Sequence, residues 1–215
     1  MLKLSLAFGL TLFAGACVAP SSSVPAPVGR AAFQAGDTQN PMEDPEFLAA
    51  MAKYMTPGEQ HAELAAKVGK WNVASKVWMS PGDESMEMAA TADSHMIFGG
   101  RYYVESFAGE MMGAPFEGEN ITGYNTITDE WWSFWIDSMS TGYAVATGKA
   151  DASGAITLTG VMRDAMSPDG RPYRMVTHPD NEDGSFMTEM FDTLPDGTEW
   201  KVMEMVYTRA PKEGR

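Results

Sequence analysis

The feature that most constrains the fold is a regular alternation of short β-like segments and turn signals between Lys70 and Arg209. Large apolar residues occupy alternate positions within each segment, and a turn rich in Gly, Pro, Asn or Asp separates it from the next. This period of two is typical of strands, and the short connections leave no room for crossover helices. We therefore predict an all-β fold, an antiparallel up-and-down meander of about ten strands that closes into a β-barrel to remove its edges.

The predicted strands share this alternation and are bounded by the turn signals on both sides. They cover residues 71–79, 86–96, 102–108, 116–124, 131–139, 143–147, 156–162, 173–176, 186–191 and 200–208. The barrel domain is predicted to span residues 70–210.

The segment 131–142 contains three of the chain's six tryptophans. Read with period two, one face carries Trp131, Ser133, Trp135, Asp137 and Met139. The other face carries Trp132, Phe134, Ile136 and Ser138. Because both faces hold large apolar groups, we predict a central strand that is covered on both sides. Asp137 then lies in apolar surroundings, where its charge must be solvated, paired or neutralised.

The N-terminus has the features of an export signal. A basic Met1–Lys3 precedes the apolar run Leu4–Phe13, and the small residues Ala14-Gly15-Ala16 follow. The run is shorter than the roughly 20 apolar residues that a membrane-spanning helix needs. We predict a signal peptide at residues 1–16.

Cys17 follows the small residues directly, an arrangement that resembles a bacterial lipobox, although Ala14 stands where Leu is usual. The resemblance implies a lipidated cysteine at the mature N-terminus. The alternative is an exported protein that is cut at the same place and keeps a free thiol.

Residues 17–40 contain three prolines and a run of three serines without apolar periodicity, which predicts a disordered tether after the lipidated cysteine. Residues 41–69 are predicted as a helical lead-in. Its first helix runs from Asp44 to about Tyr54. A capping box at Thr56–Glu59 is predicted to begin the second helix, which continues to Val68 and is expected to close one mouth of the barrel.

The composition limits the classes of partner that the protein can have. The formal net charge of −14 argues against nucleic acid and against charge-driven adhesion to anionic lipid, and the single cysteine excludes an internal disulfide. The partners we expect are a small apolar molecule and, through the N-terminal lipid, a membrane. The predicted location is the bacterial cell envelope, facing the periplasm in a Gram-negative host. The alternative is a soluble periplasmic or secreted protein.

Gly69-Lys70-Trp71, coming directly after a helix, resembles the start of lipocalin and fatty-acid-binding barrels. The resemblance implies that Trp71 plugs the closed end of the barrel. It also implies that a basic residue of a late strand lies over the Trp71 ring in a cation–π contact. Arg209, at the end of the last predicted strand, is the candidate for this contact.

The chain from about Glu59 to Arg209 also resembles an uncharacterised bacterial domain-of-unknown-function family. The resemblance is carried by 61–64, 68–71, 99–102, 113–118, 123–125, 135–142 and 201–204. Where the family usually has Asp, this chain has Asn125. The resemblance implies a fold and no activity.

Motifs of known catalytic chemistry are absent from the sequence. It has no Gly-x-Ser-x-Gly elbow, no phosphate-binding Gly loop and no dinucleotide fingerprint. His61, His95 and His178 lack the spacing of metal ligands, and 180–184 has the composition of a calcium loop without its spacing. We therefore predict neither a metal nor a cofactor.

Two carboxylates, Glu105 and Asp137, lie between aromatic or apolar residues in predicted strands. If both point inward, they could form an acid/base pair or anchor the polar head of a ligand. Alternatively, Asp137 binds backbone amides near the turn at 140–142, and Glu105 faces water.

The methionines allow two interpretations. The pairs Met86/Met88 and Met203/Met205 place thioethers on single strand faces, and soft thioethers select Cu(I). The other interpretation is that methionine fills an irregular interior or lines an adaptable apolar cavity.

The resemblance to lipocalin-like barrels implies a barrel that binds a small apolar or amphipathic ligand. The candidate binding residues are Met86, Met88, Tyr103, Glu105, Phe107, Trp135, Asp137, Met139 and Met203. Small residues on the inner face are expected to leave the space for that ligand, namely Ala90, Ala92, Gly118 and Gly160. The alternatives are a hydrolase- or isomerase-like enzyme that uses inward carboxylates, and a structural lipoprotein with a filled barrel.

The lipidation of Cys17 can be tested directly. We expect the wild-type chain in the membrane fraction and Cys17→Ser in the soluble fraction, because serine cannot carry the thioether-linked lipid. Fractionation of the host envelope with immunodetection measures this, with Ser22→Ala as the control. A wild-type chain that is already soluble contradicts the prediction.

Overall fold

The computed structural model describes residues 40–165 and 167–211 and contains a closed barrel of ten antiparallel strands, each paired with its neighbours in the chain. The predicted all-β meander barrel is therefore confirmed. The predictions of a signal peptide, a lipidated Cys17 and a tether fall on residues outside this described range, apart from Asn40.

The strands follow a helical lead-in. After a 3₁₀ turn at Pro41–Glu43 come helices α1 (Pro45–Met55) and α2 (Glu59–Ala66). The strands are β1 (Gly69–Val77), β2 (Met86–Ile97), β3 (Tyr102–Met111), β4 (Ala114–Asn125), β5 (Glu130–Asp137), β6 (Ala144–Ala150), β7 (Ile156–Met162), β8 (Arg171–Thr177), β9 (Phe186–Thr193) and β10 (Glu199–Arg209).

The pairing of β1 with β10 closes the barrel. These antiparallel strands are in register from Trp71 opposite Arg209 to Val77 opposite Met203. The closure leaves no strand edge of the barrel unpaired, which removes the aggregation hazard of an open sheet.

The Trp-rich strand β5 differs from its prediction on one face. Its inward residues line the barrel interior, but on its outward face Ile136 is exposed and Trp132 is half-buried. Because the barrel is a single layer, no second sheet covers this face. Partial cover comes from ring contacts, since Trp132 lies 5.7 Å from Tyr102, centre to centre. The prediction of a strand covered on both sides is wrong for this reason.

The capping box predicted at Thr56 is also wrong. Thr56 is the C-cap of α1, and its hydroxyl donates to the carbonyl of Ala52 at 2.7 Å. The N-cap of α2 is Gly58, whose N–H donates to Nδ1 of His61 at 3.0 Å. Thr56 therefore serves the end of the first helix and is not available to begin the second.

Helix α2 packs against one end of the barrel, as expected. Its buried Leu64 belongs to a core cluster with Tyr103 and Trp131, which lie near the starts of β3 and β5. Because β1 begins directly after α2, this is the end at which the odd-numbered strands start. We call it the α2 end and the opposite end the open end.

Arg209 and Trp71 join α2 to the seam between β1 and β10. The guanidinium of Arg209 lies 3.8 Å from the centre of the Trp71 ring and donates at 2.7 Å to each of the carbonyls of Ala66 and Val68. The indole N–H of Trp71 donates to the carbonyl of Lys67 at 2.9 Å. Arg209 thus satisfies carbonyls at the C-terminus of α2, where the helix dipole favours a cation.

We expect Trp71→Ala to cost about 3–5 kcal/mol in the free energy of unfolding, because it truncates a large core side chain. Arg209→Ala should cost about 1–3 kcal/mol, since it removes charged hydrogen bonds in addition to the ring contact. The free energy of unfolding of Arg209→Lys should lie between the values for Arg209→Ala and the wild type. Urea unfolding measures all three.

The control for these variants is Lys76→Ala, which removes an exposed outward cation from the same seam. If Arg209→Ala is no less stable than Lys76→Ala, the link between α2 and the seam contributes nothing to stability.

Candidate ligand-binding cavity

The interior of the barrel contains a cavity of about 370 Å³. All ten strands contribute to its wall, and α2 contributes Leu64. Most of the lining side chains are aliphatic, aromatic or thioether groups, and a few polar groups converge among them. This size and composition are typical of small-molecule sites.

Eight of the nine candidate binding residues line this cavity, and one does not. The eight are Met88, Tyr103, Glu105, Phe107, Trp135, Asp137, Met139 and Met203. Met86 is the exception, because it is the first residue of β2 and its side chain is exposed at the rim. Met86 is therefore not among the residues that line the cavity.

Several residues that line the cavity were not among the candidates predicted from the sequence. Met205 and Tyr207 continue the inward face of Met203 on β10, so the period of two could have identified them. Lys67 also lines the cavity, but it is the C-cap of α2 and no strand pattern indicates it.

The thioethers are concentrated in the interior. The methionines that line the cavity are Met88, Met111, Met139, Met162, Met175, Met190, Met203 and Met205. Such flexible, polarisable side chains adapt to irregular apolar shapes. Within 40–165 and 167–211, no three His, Cys, Asp or Glu side chains are grouped so that they could hold a metal ion.

At two of the small residues expected to leave space, a neighbouring aromatic ring fills that space. A Cβ at Gly118 would lie 2.4 Å from the Trp135 ring, and one at Gly160 would lie 2.7 Å from the Tyr173 ring. The space beside these glycines is therefore filled, and a larger residue at Gly118 would displace Trp135.

The two small alanines differ from each other. Ala92 is buried against Trp71 and Phe107 in the core, whereas Ala90 lines the cavity opposite Gly109. Ala90 is thus the position at which a larger side chain would enter the cavity.

Glu105 is a buried carboxyl group in the cavity wall, with only 5% of its surface exposed. The hydroxyl of Tyr103 donates to its Oε1 at 3.2 Å. Burial raises the pKa of Glu105 to about 7, while the Tyr103 hydrogen bond and the charge of Lys67 act in the opposite direction. The alternative in which Glu105 faces water is therefore wrong.

Two further polar groups lie near Glu105. Tyr207 is buried, and its hydroxyl is directed at Sδ of Met205 at 3.9 Å; burial and the nearby Glu105 raise its pKa. The ammonium of Lys67 lies 4.0 Å from the centre of the Phe186 ring and forms an ion pair with Asp180.

Asp137 has its own partners near the open end of β5. Its carboxylate accepts the indole N–H of Trp135 at 2.8 Å and the backbone N–H of Met139 at 2.9 Å. The backbone contact matches the alternative in which Asp137 binds amides, here two residues along rather than in the 140–142 turn.

Glu105 and Asp137 do not form a pair. Asp137 is opposite Gly118, which is opposite Phe107, so Asp137 lies two residues further from the α2 end than Glu105 and two strands away. These offsets correspond to about 7 Å along the strands and about 10 Å across them. The two carboxylates belong to different layers of the interior.

His61 and the acidic turn at 180–184 have structural explanations. His61 accepts the Gly58 N–H, packs edge-on to Tyr124 at 6.2 Å, and has its pKa lowered by burial and by Arg101. In the 180–184 turn, the Asp183 carboxylate accepts from the backbone and hydroxyl of Ser185.

The geometry defines a class: a ten-stranded antiparallel barrel with an internal, mostly apolar cavity and a buried carboxyl group. Residues 56–209 match the family described as a protein of unknown function (DUF1579), and the chain belongs to this family. The predicted membership of a domain-of-unknown-function family is thereby confirmed. The chain matches no curated protein. None of the helices in the described part of the chain combines the length and hydropathy needed to cross a bilayer.

The raised pKa of Glu105 predicts a pH dependence of stability. The folded state holds this proton more tightly, so the group's contribution is fully present below about pH 4.5 and is lost as the pH rises through about 7. Relative to Glu105→Gln, the free energy of unfolding of the wild type should therefore fall by about 3 kcal/mol over this range. Urea unfolding at several pH values measures the difference.

The matched control is Glu87→Gln, which neutralises an exposed carboxylate on the outward face of β2. A wild type that parallels Glu105→Gln at every pH would show that Glu105 does not titrate differently in the folded and unfolded states.

Proposed function

We propose that the barrel binds a small apolar or amphipathic molecule in its internal cavity. The observation that carries this proposal is the cavity itself, about 370 Å³ inside a closed barrel, with mostly apolar walls. A mostly apolar cavity with a few convergent polar groups is the usual form of a small-molecule site.

The cavity also bears on the two alternatives. A purely structural barrel would be filled by its own side chains, as interiors normally are at close-packed density. An enzyme that uses two inward carboxylates would need them close together, and Glu105 and Asp137 lie in different layers with separate partners. Ligand binding is therefore the function that the interior supports best.

We further propose that the protein acts in the bacterial cell envelope, attached by a lipid at Cys17. The support comes from the sequence: the basic start, the apolar run and the small residues that precede the single cysteine. A tether at residues 17–40 would let the barrel sample ligands near the membrane surface.

The binding proposal is tested with an apolar fluorescent dye whose emission rises in apolar surroundings. We expect about one dye per barrel, and we expect Ala90→Leu to weaken binding at least about tenfold. The leucine side chain enters the cavity where Gly109 offers no opposing side chain. Fluorescence titration measures the stoichiometry and the affinity.

The matched control is Ala74→Leu, the same substitution on the outward face of the neighbouring strand β1. It should bind the dye as the wild type does. If dyes of several sizes fail to bind the wild type, or if both leucine variants bind it equally well, the internal cavity is not the binding site. Native mass spectrometry of protein from its own host would then be expected to show no retained molecule.

A further inference from the structure

One side of the barrel interior is polar near the α2 end. Glu105 lies between Ser94 on β2 and Asn120 on β4, which are its cross-strand partners. The cavity wall in this region also includes Tyr103 and Thr122, so five polar side chains lie on adjacent positions of three neighbouring strands. We call Tyr103, Glu105, Asn120 and Thr122, which all line the cavity, the polar layer.

The polar layer presents hydrogen-bond acceptors to the cavity. Among the described residues, Glu105 receives a hydrogen bond from Tyr103 at Oε1, which leaves Oε2 as an acceptor when the carboxyl group is ionised. Asn120 donates through Nδ2 to the hydroxyl of Thr122 at 3.0 Å, which leaves its amide oxygen as a second acceptor. Buried acceptors of this kind favour a partner that donates hydrogen bonds.

The open end of the cavity is apolar by contrast. Met111 and Met162 are the last residues of β3 and β7, which begin at the α2 end, and Met139 follows β5. Phe116 lies there too, stacked on Trp135 with ring centres 6.3 Å apart. Two carboxylates line the cavity near this end: Asp137 already accepts two hydrogen bonds, and Glu110 is exposed to solvent.

We propose that the cavity selects an amphipathic ligand whose head group donates hydrogen bonds, an amine or a hydroxyl, with the head at Glu105 and the apolar tail among the methionines. This inference rests on the proposed function and names the class of ligand and its orientation. It excludes carboxylate amphiphiles such as fatty acids as preferred ligands, because their heads would meet acceptors and a like charge.

The charged groups around the head-group position support this preference. Lys67 is the one cation that lines the cavity in the described chain, and its ammonium is already paired with Asp180. Tyr103 and Tyr207 stay neutral, because burial and Glu105 raise their pKa values further above 10. Glu105 is therefore the group whose ionisation sets the charge at the head position as the pH rises through about 7.

The test is displacement of the fluorescent dye by three eight-carbon ligands, octylamine, octanol and octanoate, at about pH 6 and about pH 8. At the higher pH we expect octylamine or octanol to bind at least about tenfold more tightly than octanoate, the size of one charged hydrogen bond. An amine-selective site gains affinity for octylamine as the pH rises, whereas a hydroxyl-selective site binds octanol most tightly at both pH values.

Two substitutions locate the head group. Glu105→Gln should abolish the preference over octanoate and its pH dependence, and Tyr103→Phe should weaken the preference by removing the hydrogen bond that orients the carboxyl group. Glu87→Gln, exposed on the outside of β2, is the matched control. Circular dichroism shows that each variant is folded.

The outcomes separate this inference from the proposed function. If the dye and all three ligands fail to bind, the proposed function is wrong and the inference falls with it. If the dye binds but octanoate competes as well as the other two, and Glu105→Gln changes none of the affinities, only the inference is overturned. If Asp137→Asn rather than Glu105→Gln abolishes the preference, the head lies at the open end, and the proposed orientation is wrong.

Discussion

The pairing of β1 with β10 is the constraint on which the rest of the structure depends. It converts a meander into a closed surface, and only a closed surface can enclose a cavity. The seam is reinforced where it meets α2. Arg209 covers the Trp71 ring and donates hydrogen bonds to the carbonyls of Ala66 and Val68. One side chain thus joins the last strand, the first strand and the helix that closes the end of the barrel. Stability and cavity formation therefore share the same few contacts.

Closure also determines the electrostatics of the interior. Once α2 and the ten strands exclude water, a carboxyl group in the wall must be neutralised or paired. Within the described residues, Glu105 has the Tyr103 hydroxyl as its one direct partner and Lys67 as a nearby charge, so burial dominates and its pKa rises to about 7. Asp137, near the open end, is held instead by an indole and a backbone N–H. Two carboxyl groups thus have different surroundings at the two ends of one cavity.

The fold could be predicted from the sequence because period-two alternation and turn residues are local signals. Interior positions such as Trp135, Met88 and Met203 followed from the same period, whereas the sequence left open whether Glu105 and Asp137 point inward. The period gives the side of the sheet but not the height in the barrel, which depends on strand register. For that reason the separation of the two carboxylates into different layers could not be predicted. The position of Lys67 in the cavity wall could not be predicted from the strand pattern, because Lys67 lies at the end of a helix. The roles of Thr56 and Gly118 were predicted wrongly because each has another partner. Thr56 caps the end of α1, and the Trp135 ring fills the space beside Gly118.

The seam has a consequence for how the chain can acquire its structure. Every other strand pair joins segments adjacent in sequence and can form as a hairpin, but β1 must wait for β10, with Trp71 meeting Arg209 at the end of the barrel. Contacts of such sequence separation cost the most chain entropy to close and slow folding. Until β10 arrives, both β1 and β9 present open edges, and water reaches Glu105. We therefore expect the seam to form last, and until it forms the two unpaired edges of the sheet are the positions most vulnerable to association with other chains.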